Sequence, residues 1–133
     1  MTETSSSTLN DINENSEYFK KKKFFLGVKA KKKMFIEKKV CVDKAINIIK
    51  KFKIDKIDLL KIDTEGYELN VIKGFGENIN VVKVIIFEHH FDLMIKKNYN
   101  YSDINKYLNN KGFHLKYKFK MPFRKTFEYI YSK

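Results

Sequence analysis

Cysteine occurs once, proline once, arginine once and tryptophan not at all among the 133 residues, and glycine only five times. One cysteine, Cys41, excludes a disulfide framework within the chain. A reducing, cytoplasmic compartment is the simplest expectation. No apolar run approaches the roughly 18 to 20 residues needed to span a bilayer. The opening "MTETSSSTLNDINENSEYF" has neither a basic start nor an apolar stretch, so it does not read as a signal peptide. No membrane partner is expected.

Acids are also scarce: 16 against 28 basic residues, a net charge of +12. Such a balance raises nucleic acid as a partner. Yet the positive charge is almost all lysine, with Arg124 the sole arginine. Arginine supplies the bidentate forks that read bases and phosphates. No specific nucleic-acid role is therefore expected. The aromatic residues from Phe113 to Tyr131 read as a sheet face, not a base-stacking platform. A hydrophobic content of 43% is enough to fold the length into one domain.

Residues 1 to 18 are polar and lack an apolar period, so they read as a flexible arm. "MFIEKKVCV" predicts a strand ending near Val42. Asp43 is a plausible helix cap, followed by Ala45, Ile48, Ile49 and Phe52 at the spacing of one buried face. "DLLKI" predicts a short strand over 58–62. Asp63 or Thr64 caps a helix over 67–73 that Gly74 stops, with Glu68 placed to favour its dipole. "NVVKVIIFEHH" is apolar with little alternation, the pattern of a central parallel strand. Ser102 or Asp103 caps a helix bearing Ile104, Tyr107 and Leu108, which ends at Gly112. "FHLKYKF" and "TFEYIYS" predict an antiparallel hairpin. The order β-α-β-α-β-α-β-β is that of a parallel α/β sheet whose last pair reverses.

Ligands in such sheets bind beyond the carboxyl ends of the strands. Two strands here end in polar clusters, Asp63-Thr64-Glu65-Gly66 and Glu88-His89-His90. On neighbouring strands, both clusters line one cleft. A carboxylate there can act as general base toward a substrate hydroxyl. Asp63, Glu65, Glu88 and His90 are accordingly the candidate catalytic residues. Successive strand residues face opposite ways, so His90 points with Glu88 and His89 does not. Neither HExxH nor CxxC spacing occurs, and no metal ligand set is assigned. Capping alone is the competing account of Asp63, and His89, His114 and Cys41 have bland structural readings.

The stretch "IDLLKIDTEGYELNVIKGF" followed by "VIIFEHH" resembles the FkbM family of S-adenosylmethionine-dependent methyltransferases. Asp63, Glu65, Gly66, Glu68, Lys73 and Gly74 fall on fixed positions of the family's central motif. "VCVDKAINIIKKF" looks like the strand and helix before that motif, and "SSSTL" at 5–9 like a serine-rich loop upstream. The resemblance implies a partial class I methyltransferase sheet, Rossmann-like, with parallel strands and a C-terminal antiparallel hairpin. It implies transfer of a methyl group from S-adenosylmethionine to a hydroxyl of a sugar or small metabolite. The family's Gly-rich cofactor turn has no counterpart, because Gly74 and Gly76 follow a helix instead of preceding one. Residues 19–133 are therefore expected to be the C-terminal part of the domain, with no cofactor-binding residue assigned. The alternative is a non-catalytic remnant, or the partner-binding half of a split methyltransferase. The outer edge of the "DLLKID" strand would then be apolar and unpaired. Such an edge invites a separately encoded N-terminal half or self-association.

Overall fold

The apolar run Val82–His90 forms β2, which has a strand on each side of it. The computed structural model describes residues 7–27 and 35–133. In chain order the elements are α1 (Glu17–Phe25), α2 (Ala45–Phe52), β1 (Ile57–Ile62), α3 (Glu68–Lys73), a 3-10 turn (Gly76–Val81), β2, α4 (Tyr101–Asn110), β3 (His114–Lys120) and β4 (Thr126–Ser132). The sheet has four strands in the order β1-β2-β4-β3. β1 and β2 are parallel, with Ile62 opposite Phe87. β4 runs antiparallel to both β2 and β3. The architecture is thus mixed α/β, an open sheet that is partly parallel, closed off by the expected antiparallel hairpin.

Alternation along the strands gives the sheet two unlike faces. One carries Ile62, Ile85, Phe87, Tyr129 and Tyr131, packed with Leu69 and Ile72 of α3 and with Ile104 and Leu108 of α4. Phe87 stacks between Tyr129 and Tyr131, at ring-centre distances of 5.3 and 5.8 Å. Burying a ring of this size stabilises the fold by about 1.5–3 kcal/mol. The opposite face aligns Leu59 with Val84, Ile86 with Ile130, and Tyr117 with Ile130. Leu59, Tyr117 and Phe119 are more than half exposed there. A parallel pair is usually covered on both faces; here the second face stays open.

Several sequence expectations need correction. Residues 35–44 have no regular secondary structure, and Ile36, Val40 and Val42 are exposed. The strand expected to end near Val42 is absent from them; Met34 lies outside the described residues. β propensity expresses packing on a sheet, and this segment joins none. α2 buries Ile49 but turns Ile48 and Phe52 to solvent, while Ala45 and Ile46 are half-buried. The Ile46 N–H donates to the Gly74 carbonyl (3.0 Å), which fixes the helix in that rotation. Lys44, not Asp43, is its N-cap, although the Asp43 carboxylate accepts from Lys44 N and Asn47 Nδ2. Asn100, not Ser102 or Asp103, caps α4, in a reciprocal capping box with Asp103. Tyr67 stands at the N-cap of α3 without a side-chain bond, so neither Asp63 nor Thr64 caps it.

Residues 7–18 lie against the segment after β2. Ile12 bridges Ile95, and Asn13 N donates to Met94 O at 2.7 Å. Ser16 then caps α1 by accepting from Phe19 N. The serine-rich stretch at 5–9 is described only from residue 7. No described helix is long and apolar enough to cross a membrane.

Phe87→Ala should cost about 3–5 kcal/mol in urea denaturation, because a fully enclosed ring is lost. Phe119→Ala on the open face should stay within about 1 kcal/mol of the parent. Equal losses at the two positions would mean that the second face is covered.

Candidate functional site

Parallel pairing sets Ile62 beside Phe87, so the segments that follow both strands emerge at one rim. The two polar clusters meet there. His90 Nε2 lies 3.0 Å from Glu65 Oε2. The contact is an ion pair without hydrogen-bond alignment. On its other side, His90 Nδ1 is 3.0 Å from Thr126 Oγ1 and 3.5 Å from Asp92 Oδ2. Thr126 reaches His90 because the two residues are paired across β2 and β4. His90 is mostly buried. Burial disfavours its charge, but Asp92 and Glu65 together outweigh that and hold its pKa up at about 9. His90 keeps Glu65 below the ordinary carboxylate range, against the opposing effect of burial. Burial pushes Asp92 upward, but His90 and the Met94 N–H bring it below its usual value.

The backbone is unusual at the same point. Glu65 has φ +47° and Gly66 φ +98°. A left-handed glutamate costs on the order of 1 kcal/mol and needs fixing from outside. Thr8 Oγ1 donates to Glu65 O at 2.7 Å, and Asn10 Nδ2 donates to Gly66 O at 2.5 Å. A Cβ at Gly66 would come 2.6 Å from Ile95 Cγ2 and 3.2 Å from Asn10 Nδ2. The glycine therefore answers both to torsion and to space.

A second polar cluster lies on the helical side, where alternation sends His89. Glu68 is fully buried. Its Oε1 accepts from Gly66 N and its Oε2 from Tyr99 Oη, both at 2.6 Å. His89 Nδ1 is 3.8 Å from Oε2, too far for a hydrogen bond. Burial raises the Glu68 carboxyl, but His89, Tyr99 and the Gly66 N–H outweigh it and hold the group below its usual value. Burial and Glu68 both push the Tyr99 hydroxyl upward. Glu68 stands in the first turn of α3, as the sequence reading placed it, and is in addition an interior brace for the turn at Gly66. Its spacing from Glu65 gave no sign of this. Nor could Asp92, Tyr99 and Thr126 be found without knowing the strand order.

The remaining two candidates form a different kind of pair. Asp63 is exposed and Glu88 half-buried. Alternation puts Glu88 on the open face, with Val84 and Ile86. Burial raises the Glu88 carboxyl and the negative charge of Asp63 raises it further, while the charges of His90 and Lys61 offset part of the rise. Thr64 Oγ1, between the clusters in sequence, is buried without a hydrogen-bond partner. The four predicted residues therefore separate into a locked ion pair, Glu65 with His90, and a carboxylate pair of like charge, Asp63 with Glu88. A carboxylate pushed up by burial and a neighbour is the better proton acceptor. A histidine held cationic near pH 7 is not a base. Among the described residues, no group of three or more His, Cys, Asp or Glu is placed to hold a metal ion.

His90 should make stability depend on pH with a defined sign. Its folded pKa of about 9 exceeds the ordinary 6.5, so its contribution is complete below 6.5 and lost as pH rises through 9. A rise of this size is worth roughly 3 kcal/mol at most. Glu65 and Asp92, both held low, contribute above the ordinary carboxylate range and lose their share on acidification. Thermal melts should therefore peak between about pH 5 and 6.5. In His90→Gln the decline toward alkaline pH should vanish; a parent melting point flat from pH 6 to 10 would contradict the ion pair. Separately, Gly66→Ala should lose roughly 2 kcal/mol or more, read by the same melts, because strain and overlap add.

A family model for the methyltransferase FkbM domain matches residues 3–115. No curated protein and no solved structure matches the chain. The motif at the rim, from Asp63 through Gly74, and β2, which carries Glu88, both lie within the matched span. The chain belongs to the FkbM methyltransferase domain family.

Proposed function

We propose that the rim carries out the acid–base part of methyl transfer to a hydroxyl of a sugar or other small metabolite. The observation that carries this reading is the Asp63–Glu88 pair, in which a half-buried carboxyl is raised by burial and by a like charge. When an oxygen gains a methyl group, the proton it held must leave. Glu88 takes that proton, and Asp63 orients the acceptor hydroxyl and keeps Glu88 basic. Alignment and removal of one proton are the main demands of such a transfer. Glu65 and His90 act as positioning residues: their ion pair fixes the turn from which Asp63 projects.

S-adenosylmethionine, the donor implied by the resemblance, would supply an electrophilic methyl group. The described residues do not by themselves make its site. Gly74 and Gly76 follow α3, and the Gly66 backbone is crowded by Ile95 and Asn10. The sheet order β1-β2-β4-β3, with a parallel pair and an antiparallel hairpin, supports reading it as part of a class I methyltransferase sheet. β1 lies at the sheet edge and the face bearing Glu88 is open. We infer that further polypeptide, packed on that face and along β1, completes the donor side; a separately encoded segment or a second copy would serve.

The test is methyl transfer from S-adenosylmethionine to a panel of sugar and metabolite hydroxyls, with the chain alone and with candidate completing segments. Glu88→Gln should lower turnover by about 10²–10⁴-fold. Activity should fall on acidification at a pH above the ordinary carboxylate range, and Asp63→Asn should move that fall to lower pH. Turnover unchanged in Glu88→Gln would remove it from the mechanism.

A further inference from the structure

α1 presents a surface that the rim does not use. Its inward side is the buried Phe19, with Lys22 and Lys23 half-buried one turn on. The outward side is Lys20, Lys21, Phe24 and Phe25, spaced to form one stripe. Phe24 and Phe25 are 82% and 81% exposed, and Leu26 beyond them is more than half exposed. The two rings meet edge to face at 6.0 Å, as a paired aromatic tip behind a lysine step. Side chains of this size are rarely left in water together without a partner. The sequence continues the same chemistry: ten lysines and a single acid, Glu37, occur between residues 20 and 39.

We propose that the outward face of α1 docks on an anionic bilayer surface. Phe24 and Phe25 enter at headgroup level, and Lys20 and Lys21 sit on the anionic headgroups. This reverses the expectation of no membrane partner, which rested on the lack of a spanning run; lying on a membrane needs no such run. Lysine point charges suit a diffuse negative surface. Nucleic acid fits less well, because the chain has one arginine, and it lies in the β3–β4 loop far along the chain from α1. A second copy seated on this same face fits less well still, since its lysines would meet their like.

The experiment is co-sedimentation of the full chain with vesicles of neutral phosphatidylcholine and with vesicles containing 30% phosphatidylserine (roughly the polybasic-binding regime). Binding is expected only to the anionic vesicles, and weaker at high salt. Lys20→Gln with Lys21→Gln should weaken it about thirtyfold. Phe24→Ala with Phe25→Ala should weaken it at least about tenfold, and both pairs should keep the parent's circular dichroism because the residues are exposed. Absence of binding, or equal binding to both vesicle types, would overturn the proposal. So would vesicle binding that survives the phenylalanine changes, or tighter binding to duplex DNA than to anionic vesicles that those changes leave intact.

Discussion

A 3.0 Å ion pair between Glu65 and His90 joins the segments that end β1 and β2, and the geometry of the rim depends on it. It anchors the side chain of a glutamate whose left-handed backbone is held by Thr8 on its carbonyl and by Asn10 and Glu68 on Gly66. The pair is expensive to assemble, because both groups are drawn from water. It is sustained by a third and fourth partner, Asp92 and Thr126, and by Thr8 on the Glu65 carbonyl. Three side chains, Glu65, Asp92 and Thr126, thus converge on one imidazole. Opposite it, on the helical side, Glu68 takes up the Gly66 N–H and the Tyr99 hydroxyl. The turn is therefore clamped from both faces of the sheet.

This arrangement explains why acids are concentrated after Ile62 in a chain that has few. Three carboxylates in the stretch do three different jobs. Glu65 balances a cation, Glu68 is an interior hydrogen-bond acceptor, and Asp63 faces solvent beside Glu88. One motif thus holds both the structural fixing of the rim and the group proposed to act there. The like-charged pair can persist because Asp63 is solvated while Glu88 is half-buried.

Much of this was readable before any coordinates. β2 is legible as an unbroken apolar run, the hairpin because apolar residues alternate, and β1 because a short apolar run is bounded by charge. Alternation alone separated His89 from His90. The convergence of the two strand ends followed from parallel pairing. Other features were not readable, for identifiable reasons. α1 has one buried side chain, Phe19, so it lacks the apolar period that marks a helix. Three polar residues in succession, Asn100, Ser102 and Asp103 around Tyr101, can each cap a helix, and only the backbone torsion at Asn100 decides. The partners of His90 and Glu68 stand 36 and 31 positions away in Thr126 and Tyr99. The first contact is set by strand order and the second by the path of the chain between β2 and α4, neither of which local sequence encodes.

The position of β4 has its own consequence. The latest strand in the chain lies between β2 and β3, and its Thr126 completes the surroundings of His90. During synthesis, the earlier three strands cannot form a continuous sheet until residues 126–132 have left the ribosome. Until then β2 has a flank of unpaired backbone groups, an edge prone to aggregation. Closure of the sheet therefore waits on one late segment, which must fit between two strands already made.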